Sequence, residues 1–177
     1  MAVIAIPDPA LVVLVGPAGS GKSTFATRHF GSSEILSSDA FRALVSGDEA
    51  DQGATRAAFG RLHRELARRL AEGRLTVVDA TNVERAARRG LLIRARVAGV
   101  PAIAIVLDLP PAIVRSRNAS RAGRVVEASV VGRHLARLRA TLDRGDDSLR
   151  SEGFAQVVVL HDLLDLDAVR IVRTRRG

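Results

Sequence analysis

Short apolar runs alternate along the chain with longer segments whose apolar positions recur every three or four residues. Runs of this kind are typical of buried strands, and the longer spacing is typical of helices packed on a core. The alternation predicts an α/β fold with a central parallel sheet that helices cover on both faces, joined by right-handed crossovers. The predicted strands are Leu11–Val15, Glu34–Ser37, Leu75–Asp79, Ala102–Leu107, Gln156–Leu160 and a weaker one at Val169–Val172.

The helical segments are predicted from their apolar stripes and end signals. The first runs from Lys22 to His29 and stops before Gly31, and the Arg-rich stretch 84–98 predicts a covering helix. Pro110 and Pro111 mark another helix start. Residues 45–52 are expected to form a loop and the Arg-Thr-Arg-Arg-Gly tail to fray. Two further helices are predicted from their apolar stripes. One stripe is Phe59, Leu62, Leu66 and Leu70, and Arg61, Arg64 and Arg68 of that helix lie off the stripe as a solvated face. The other stripe is Val131, Leu135, Leu138 and Leu142.

Composition limits the classes of protein that fit. The 177 residues are expected to form a single domain, 1–177, and 47% hydrophobic residues exclude general disorder. There are no cysteines, so a disulfide framework and a thiolate metal site are excluded. Pro7 and Pro9 break the short apolar start, which therefore does not resemble a signal peptide, and no segment has the length of a membrane span. We expect a cytoplasmic protein without a membrane partner. The net charge of +8 fits nucleotides or nucleic acid as partners, and equally fits solvated helix faces.

A phosphate-binding motif follows the first buried run. The sequence Gly-Pro-Ala-Gly-Ser-Gly-Lys-Ser at 16–23 has the G-x-x-x-x-G-K-[ST] spacing between a strand and a helix. Glycines let backbone N–H groups converge on an anion, and the helix adds its positive N-terminal end. Lys22 is predicted to reach the β- and γ-phosphates of a nucleotide and Ser23 to hold Mg²⁺. The other predicted nucleotide-binding positions are Gly16, Ala18, Gly19, Ser20, Gly21 and Thr24.

Lys22 also stands out by composition. The chain has 27 Lys and Arg residues, and Lys22 is the single lysine among them. An ammonium on a flexible stem is compact, whereas a guanidinium is planar and larger. Lysine is therefore retained where the loop needs the smaller cation.

Two carboxylates end predicted strands beside this loop. Asp39 follows the second strand, and Arg42 lies one helical turn later on the same face. Such a pair suits a base with a positioning group, although Asp39 could also simply cap a helix. Asp79 ends the third strand, where it could contact Mg²⁺ or orient Arg42. Thr81 and Asn82 could bind phosphate or cap the next helix.

Arginines cluster at the end of the helix that follows Pro111. They are Arg115, Arg117, Arg121 and Arg124. Arginines at such a helix end can be brought onto a transferring phosphoryl group by a lid. A solvated charge run is the alternative, but the position after a core strand favours a lid.

Four segments taken together, GPAGSGKSTFA, SSDAFR, VVDATN and RNASRAGR, resemble in sequence and order the 5′-kinase domain of bacterial polynucleotide kinase-phosphatase. The resemblance covers about residues 11–172 and is more specific than the phosphate-binding motif alone. It implies a P-loop NTPase of the nucleoside-kinase-like type with an Arg-bearing lid.

The resemblance also implies an activity, which is transfer of the γ-phosphate of ATP or another NTP to the 5′-OH end of RNA or DNA, with Mg²⁺, in end-healing and repair. On the family's pattern Asp39 is the general base, Arg42 contacts the acceptor end, and Gln52 lies along the acceptor strand. Arg117 and Arg121 match the lid arginines, and Arg124 is a further candidate. The family's kinase usually precedes phosphatase and ligase modules, which are therefore expected in the same polypeptide or pathway.

Two other functions fit the same residues. A P-loop kinase for a small hydroxyl-bearing molecule is compatible with the Ser-Ser-Asp-x-x-Arg spacing. An NTP-binding switch or adaptor is also compatible with the loop, but it gives Asp39 and Arg42 no role.

Overall fold

The computed structural model describes residues 3–46, 52–122, 125–145 and 147–175. Five parallel strands form the central sheet in the order β3-β4-β2-β5-β6. They are β2 (Leu11–Val15), β3 (Ile35–Ser37), β4 (Thr76–Asp79), β5 (Ala102–Leu107) and β6 (Gln156–Leu160). The predicted parallel α/β architecture is confirmed, and each of these five strands starts within one residue of its predicted position.

Two strands lie outside the central sheet. β1 (Val3–Asp8) pairs in parallel with β7 (Arg170–Arg175) as a separate two-stranded sheet. The weaker strand predicted at Val169–Val172 is therefore present as a strand, but it pairs outside the central sheet. The expectation that the tail frays is wrong for Arg173–Arg175, which belong to β7, and residues 176–177 lie outside the described residues. The strand at the start of the chain was not predicted, although Ile4 and Ile6 alternate with exposed neighbours and are buried.

The helices of the described residues flank the central sheet. A short 3-10 turn (Ser32–Glu34) precedes β3. The predicted loop at 45–52 is wrong at both ends, because Val45 and Ser46 belong to α2 and Gln52 begins α3, and its residues 47–51 lie outside the described residues. The helices are α1 (Lys22–His29), α2 (Ser38–Ser46), α3 (Gln52–Ala71), α4 (Arg85–Val97), α5 (Pro111–Ala119), α6 (Ala128–Leu142), α7 (Asp147–Glu152) and α8 (Leu163–Ala168).

The core has two halves because β-strand side chains alternate between the faces of the sheet. Val12 and Leu14 pack with residues of α1, α5 and α8 on one face. Leu11, Val13 and Val15 pack with residues of α3, α4 and α7 on the other. The predicted stripe of α3 is buried at its three leucines, whereas Phe59 is only partly covered and borders a cleft. α6 contributes to both halves.

One arginine of the predicted covering helix, α4, is buried. The Arg88 side chain is 1% exposed, and it donates two hydrogen bonds to the Glu152 carboxylate at 2.8 and 2.6 Å. It also donates to the backbone carbonyls of Asn82 and Val83. Arg88 thus joins α4 and α7 to the segment that leaves β4.

In the described part of the chain, no helix combines the length and the hydrophobicity that crossing a membrane requires.

Candidate active site

The three chemical segments predicted from the sequence meet at one edge of the sheet. The glycine-rich loop follows β2, Asp39 lies in the first turn of α2 directly after β3, and Asp79 is the last residue of β4. Because β3, β4 and β2 are adjacent parallel strands, their carboxyl ends converge. They border a cleft of about 650 Å³, a volume in the range of small-molecule and nucleotide sites.

Glycine is required in the loop by both conformation and space. Gly19 and Gly21 have φ values of +87° and +94°, a region that side chains disfavour. A Cβ on Gly19 would lie 2.4 Å from the Val114 carbonyl oxygen of α5. The loop start is fixed from the other side, where the Gly16 N–H donates to the Thr81 carbonyl at 2.9 Å. The loop is therefore held between α5 and the segment after β4.

Lys22 is enclosed by this loop. Its side chain lines the cleft, yet the residue is only 8% exposed. The ammonium donates to the Pro17 carbonyl at 2.8 Å and to the Ser20 hydroxyl at 3.5 Å. Burial lowers the pKa of Lys22 to about 8, and the charges of Asp79 and Asp39 offset part of that decrease. A polyanion entering the cleft would favour the charged form of Lys22, which burial disfavours.

Asp79 lies against the first turn of α1. It accepts a hydrogen bond from the Ser23 hydroxyl, and it is 6% exposed. Burial raises the pKa of this carboxyl, while Ser23 and Lys22 counteract the increase. Of the two roles left open by the sequence, this position matches the metal-side role, because hard cations prefer carboxylate and hydroxyl oxygens. The described residues contain no group of three His, Asp or Glu side chains that could hold a metal ion by themselves.

Asp39 is held between two arginines. Its Oδ1 is 2.9 Å from Arg42 Nη1, and its Oδ2 is 3.5 Å from Arg121 Nη2. Arg42 also donates to the Ser38 hydroxyl at 3.3 Å. The Asp39 side chain remains 37% exposed, so one part of the carboxylate faces the cleft. The predicted shared face of Asp39 and Arg42 is confirmed, and Arg121 joins them from the segment just after α5.

The other sequence-predicted residues divide into three groups. The first group, Arg117, Ala18 and Thr24, lines the cleft. Arg117 lies against the loop, since its Nη1 is 3.3 Å from the position that a Cβ on Gly21 would occupy. Ser20 supports the loop from inside, being fully buried. Gln52 begins α3, but its side chain lies outside the described part of the structure, as does the whole of Arg124.

Several cleft residues were missed by the sequence analysis. Arg28 of α1 and Asp167 of α8 form an ion pair of 2.6 Å at one end. On α6, His134 faces the cleft one turn after Val130. A signal for His134 was present in the sequence, since it follows Val131 by three residues and precedes Leu138 by four, which places it on the apolar stripe of that helix.

The charge of the cleft suits an anionic ligand. Of the described residues that line it, five are cationic and three are carboxylates. The cations are Lys22, Arg28, Arg42, Arg117 and Arg121, and the carboxylates are Asp39, Asp79 and Asp167. Converging N–H groups, a buried ammonium and an adjoining Ser–Asp pair fit a nucleotide triphosphate with its metal ion.

A parallel α/β sheet with this loop at its carboxyl edge defines a kinase-like P-loop protein. A family model described as an AAA domain matches residues 11–144. That match covers most of the chain, so the protein belongs to this family. No curated protein matches the chain significantly.

Solved structures share the fold at low sequence identity. A putative kinase from Chloroflexus aurantiacus J-10-fl is 18% identical, with 87% of this chain and 88% of that chain covered and a TM-score of 0.58. A gluconokinase from Sinorhizobium meliloti 1021 is 19% identical over 92% and 87%, with a TM-score of 0.54. A chain of the Pnkp1/Rnl/Hen1 RNA repair complex is 22% identical over 80% of this chain and 47% of that one, with a TM-score of 0.63.

Proposed function

We propose that this protein is an ATP-dependent polynucleotide 5′-kinase, acting on 5′-OH ends of RNA or DNA. The observation that carries the proposal is the Asp39 carboxylate, held by Arg42 and Arg121 at the edge of a P-loop cleft. A carboxylate there can accept a proton from an acceptor hydroxyl, which a nucleotide switch does not need. The order of the four motif segments and the fold shared with a chain of an RNA repair complex support a polynucleotide acceptor.

The residues of the cleft divide the work of phosphoryl transfer. Lys22 and the loop N–H groups bind the phosphates, and Ser23 with Asp79 would hold Mg²⁺, which when bound neutralises phosphate charge. Asp39 takes the proton of the 5′-OH as the new O–P bond forms and the bond to the β-phosphate oxygen breaks, so that ADP leaves. Arg42 orients the carboxylate and the acceptor. Arg117 and Arg121 stabilise charge on the transferred group.

A second candidate is a kinase for a small hydroxyl-bearing molecule. The similar folds of a gluconokinase and of a sugar kinase from Janibacter sp. HTCC2649 favour it. The mechanism at Asp39 would be the same, and only the acceptor would differ. In both candidates residues 1–177 act as one kinase domain. Only the polynucleotide kinase would act beside phosphatase and ligase modules in cytoplasmic end-healing.

The test is transfer of labelled γ-phosphate from ATP to a 5′-OH oligonucleotide, with gluconate and other polyols as alternative acceptors. We expect labelled oligonucleotide with the wild type, and a loss of about 10²–10⁴-fold in kcat for Asp39→Asn with ATP binding retained. The matched control is Asp143→Asn, because Asp143 also pairs with an arginine, Arg139, at 3.0 Å but is exposed directly after α6. It should transfer phosphate like the wild type.

The acceptors separate the two candidates. Label on a polyol but not on the oligonucleotide would replace the proposal with the small-molecule kinase. Near-normal turnover of Asp39→Asn would show that Asp39 is not the base for either acceptor. ATP binding without transfer to any acceptor would instead favour the switch.

A further inference from the structure

Asn82 is held in a backbone conformation that side chains disfavour. It lies between β4 and α4, three positions after Asp79, and its φ of +49° is the one left-handed value among the described residues other than glycine. Asparagine tolerates this region better than most residues, but the conformation persists only where the surroundings fix it. Asn82 is 4% exposed, so the contacts that fix it lie inside the protein.

The side-chain amide of Asn82 makes those contacts. Its Nδ2 donates to the Leu14 carbonyl of β2 at 2.8 Å and to the Ala80 carbonyl at 3.3 Å. A side-chain amide has two N–H donors, and both are therefore used within the protein. Asn82 does not line the cleft, and the N-cap of α4 is Glu84. The amide thus takes neither of the two roles left open by the sequence, phosphate binding and helix capping.

The contact with Leu14 extends the link between β2 and β4 beyond their backbone pairing. The register of the two strands ends one residue before Asp79. Beyond that point the Asn82 amide joins Leu14, the last residue but one of β2, to Ala80, which directly follows Asp79. One side chain therefore connects the strand that leads into the phosphate-binding loop with the residue next to the Asp79 carboxylate.

Backbone contacts hold the same segment on both sides of the amide. The Thr81 carbonyl accepts a hydrogen bond from the Gly16 N–H of the loop at 2.9 Å. The carbonyls of Asn82 and Val83 accept from the buried Arg88 guanidinium at 2.9 and 2.8 Å. The segment after β4 is thus fixed to the loop and to α4 by its backbone, and to β2 by the Asn82 amide.

We infer that Asn82 is a positioning residue for the Asp79 carboxylate, which its amide holds within hydrogen-bond distance of the Ser23 hydroxyl. The inference rests on the proposed function in one respect, the role of Ser23 and Asp79 in holding Mg²⁺, and it is the same for either acceptor. Groups that orient a metal ligand contribute to the affinity for the metal even though they do not touch it. Asn82 therefore acts on the metal through Asp79.

The experiment compares the affinities for MgATP and for metal-free ATP by calorimetry. Asn82→Gly permits the left-handed backbone but removes the amide. We expect its MgATP affinity to fall about 10- to 100-fold, as the loss of a group that orients a metal ligand predicts, with the affinity for metal-free ATP unchanged. In an Asp79→Asn background, Asn82→Gly should add no further loss, because no carboxylate remains to be positioned.

Two further variants separate this effect from a loss of stability. Leu70→Ala is the matched control, because Leu70 is buried at the end of α3 and does not line the cleft, so it should leave both affinities unchanged. If urea denaturation shows that Asn82→Gly does not fold, Asn82→Asp replaces it, since aspartate tolerates the left-handed region but donates no N–H. Its added negative charge would favour MgATP over metal-free ATP, so a fall in that preference reports the lost donors.

Three results would overturn the inference. Wild-type MgATP affinity for Asn82→Gly would show that the amide is not needed. An equal loss for MgATP and metal-free ATP would assign Asn82 to the loop rather than to the metal side. A further loss in the Asp79→Asn background would show that Asn82 does not act through Asp79. If Asp79→Asn alone binds MgATP like the wild type, the metal role in the proposed function is wrong and the inference is lost with it.

Discussion

Replacing Arg88 with methionine removes a guanidinium that is 1% exposed and leaves its partner, Glu152, with a carboxylate that is 7% exposed. A buried charge that loses its partner destabilises a protein by about 3–5 kcal/mol. The carbonyls of Asn82 and Val83 lose their donor in the same substitution, at 2.9 and 2.8 Å. These costs share one side chain, so they do not simply add. We expect Arg88→Met to lower the free energy of unfolding by about 3–5 kcal/mol, a large part of the roughly 5–15 kcal/mol typical of a domain.

Urea denaturation measures this loss as a lower midpoint at an unchanged slope. Arg139→Met is the matched control, because Arg139 pairs with Asp143 at 3.0 Å but both side chains are more than half exposed. Exposed pairs contribute about 0–1 kcal/mol, so this variant should unfold almost like the wild type. The double variant Arg88→Met/Glu152→Leu should recover most of the lost stability, since no buried charge remains unpaired. A loss below about 1 kcal/mol for Arg88→Met would refute the reasoning, because the buried carboxylate would then not need its partner.

Two further predictions concern the phosphate-binding loop. Gly19→Ala should weaken ATP binding at least about tenfold in calorimetry, because the new Cβ would meet a backbone oxygen that cannot move aside. The control is Gly99→Ala, whose φ is also positive, at +66°, but whose Cβ would meet no atom within 4 Å, and it should leave ATP affinity unchanged. Comparable affinities for both variants would contradict this steric explanation. Burial lowers the pKa of Lys22 to about 8, and the side chain must be protonated to hold a triphosphate. ATP affinity should therefore be constant below about pH 7 and fall above pH 8, and ATP binding near pH 8 should take up protons. Lys22→Met should abolish the pH dependence, and a flat wild-type profile up to pH 9.5 would contradict it.

The elements predicted correctly from the sequence depend on neighbouring residues. The run Leu11–Val15 is apolar on both faces because helices cover both sides of the sheet, and the glycines after it mark the loop. Asp39 and Arg42 meet because Arg42 follows Asp39 by three positions on one helix. Such spacings are visible in the sequence without knowledge of the rest of the fold.

Other features depend on residues far apart in the chain. The residues next to Arg88 do not indicate that its side chain is buried, because its partner, Glu152, lies 64 positions away along the chain. β1 finds its partner strand at the other end of the chain, so the alternation of Ile4 and Ile6 alone could not show which sheet it joins. His134 could be placed on the apolar stripe of α6, but its place beside the cleft depends on how α6 packs against the sheet.

The groups assigned to phosphoryl transfer are already paired within the chain. Lys22 donates to Pro17 and Ser20 of its own loop, Asp79 accepts from Ser23, and Asp39 is paired with arginines. Binding a nucleotide and an acceptor would therefore exchange partners rather than supply them, because each hydrogen bond to a substrate replaces one within the protein. The contact of Asp39 with Arg121 is longer than that with Arg42, at 3.5 Å, and the carboxylate is 37% exposed. A phosphoryl group would compete with Asp39 for Arg121 more readily than for Arg42 at 2.9 Å. The same exchange would free one oxygen of Asp39 to accept the hydroxyl proton while Arg42 still holds the other, so binding of the phosphate donor would prepare the base.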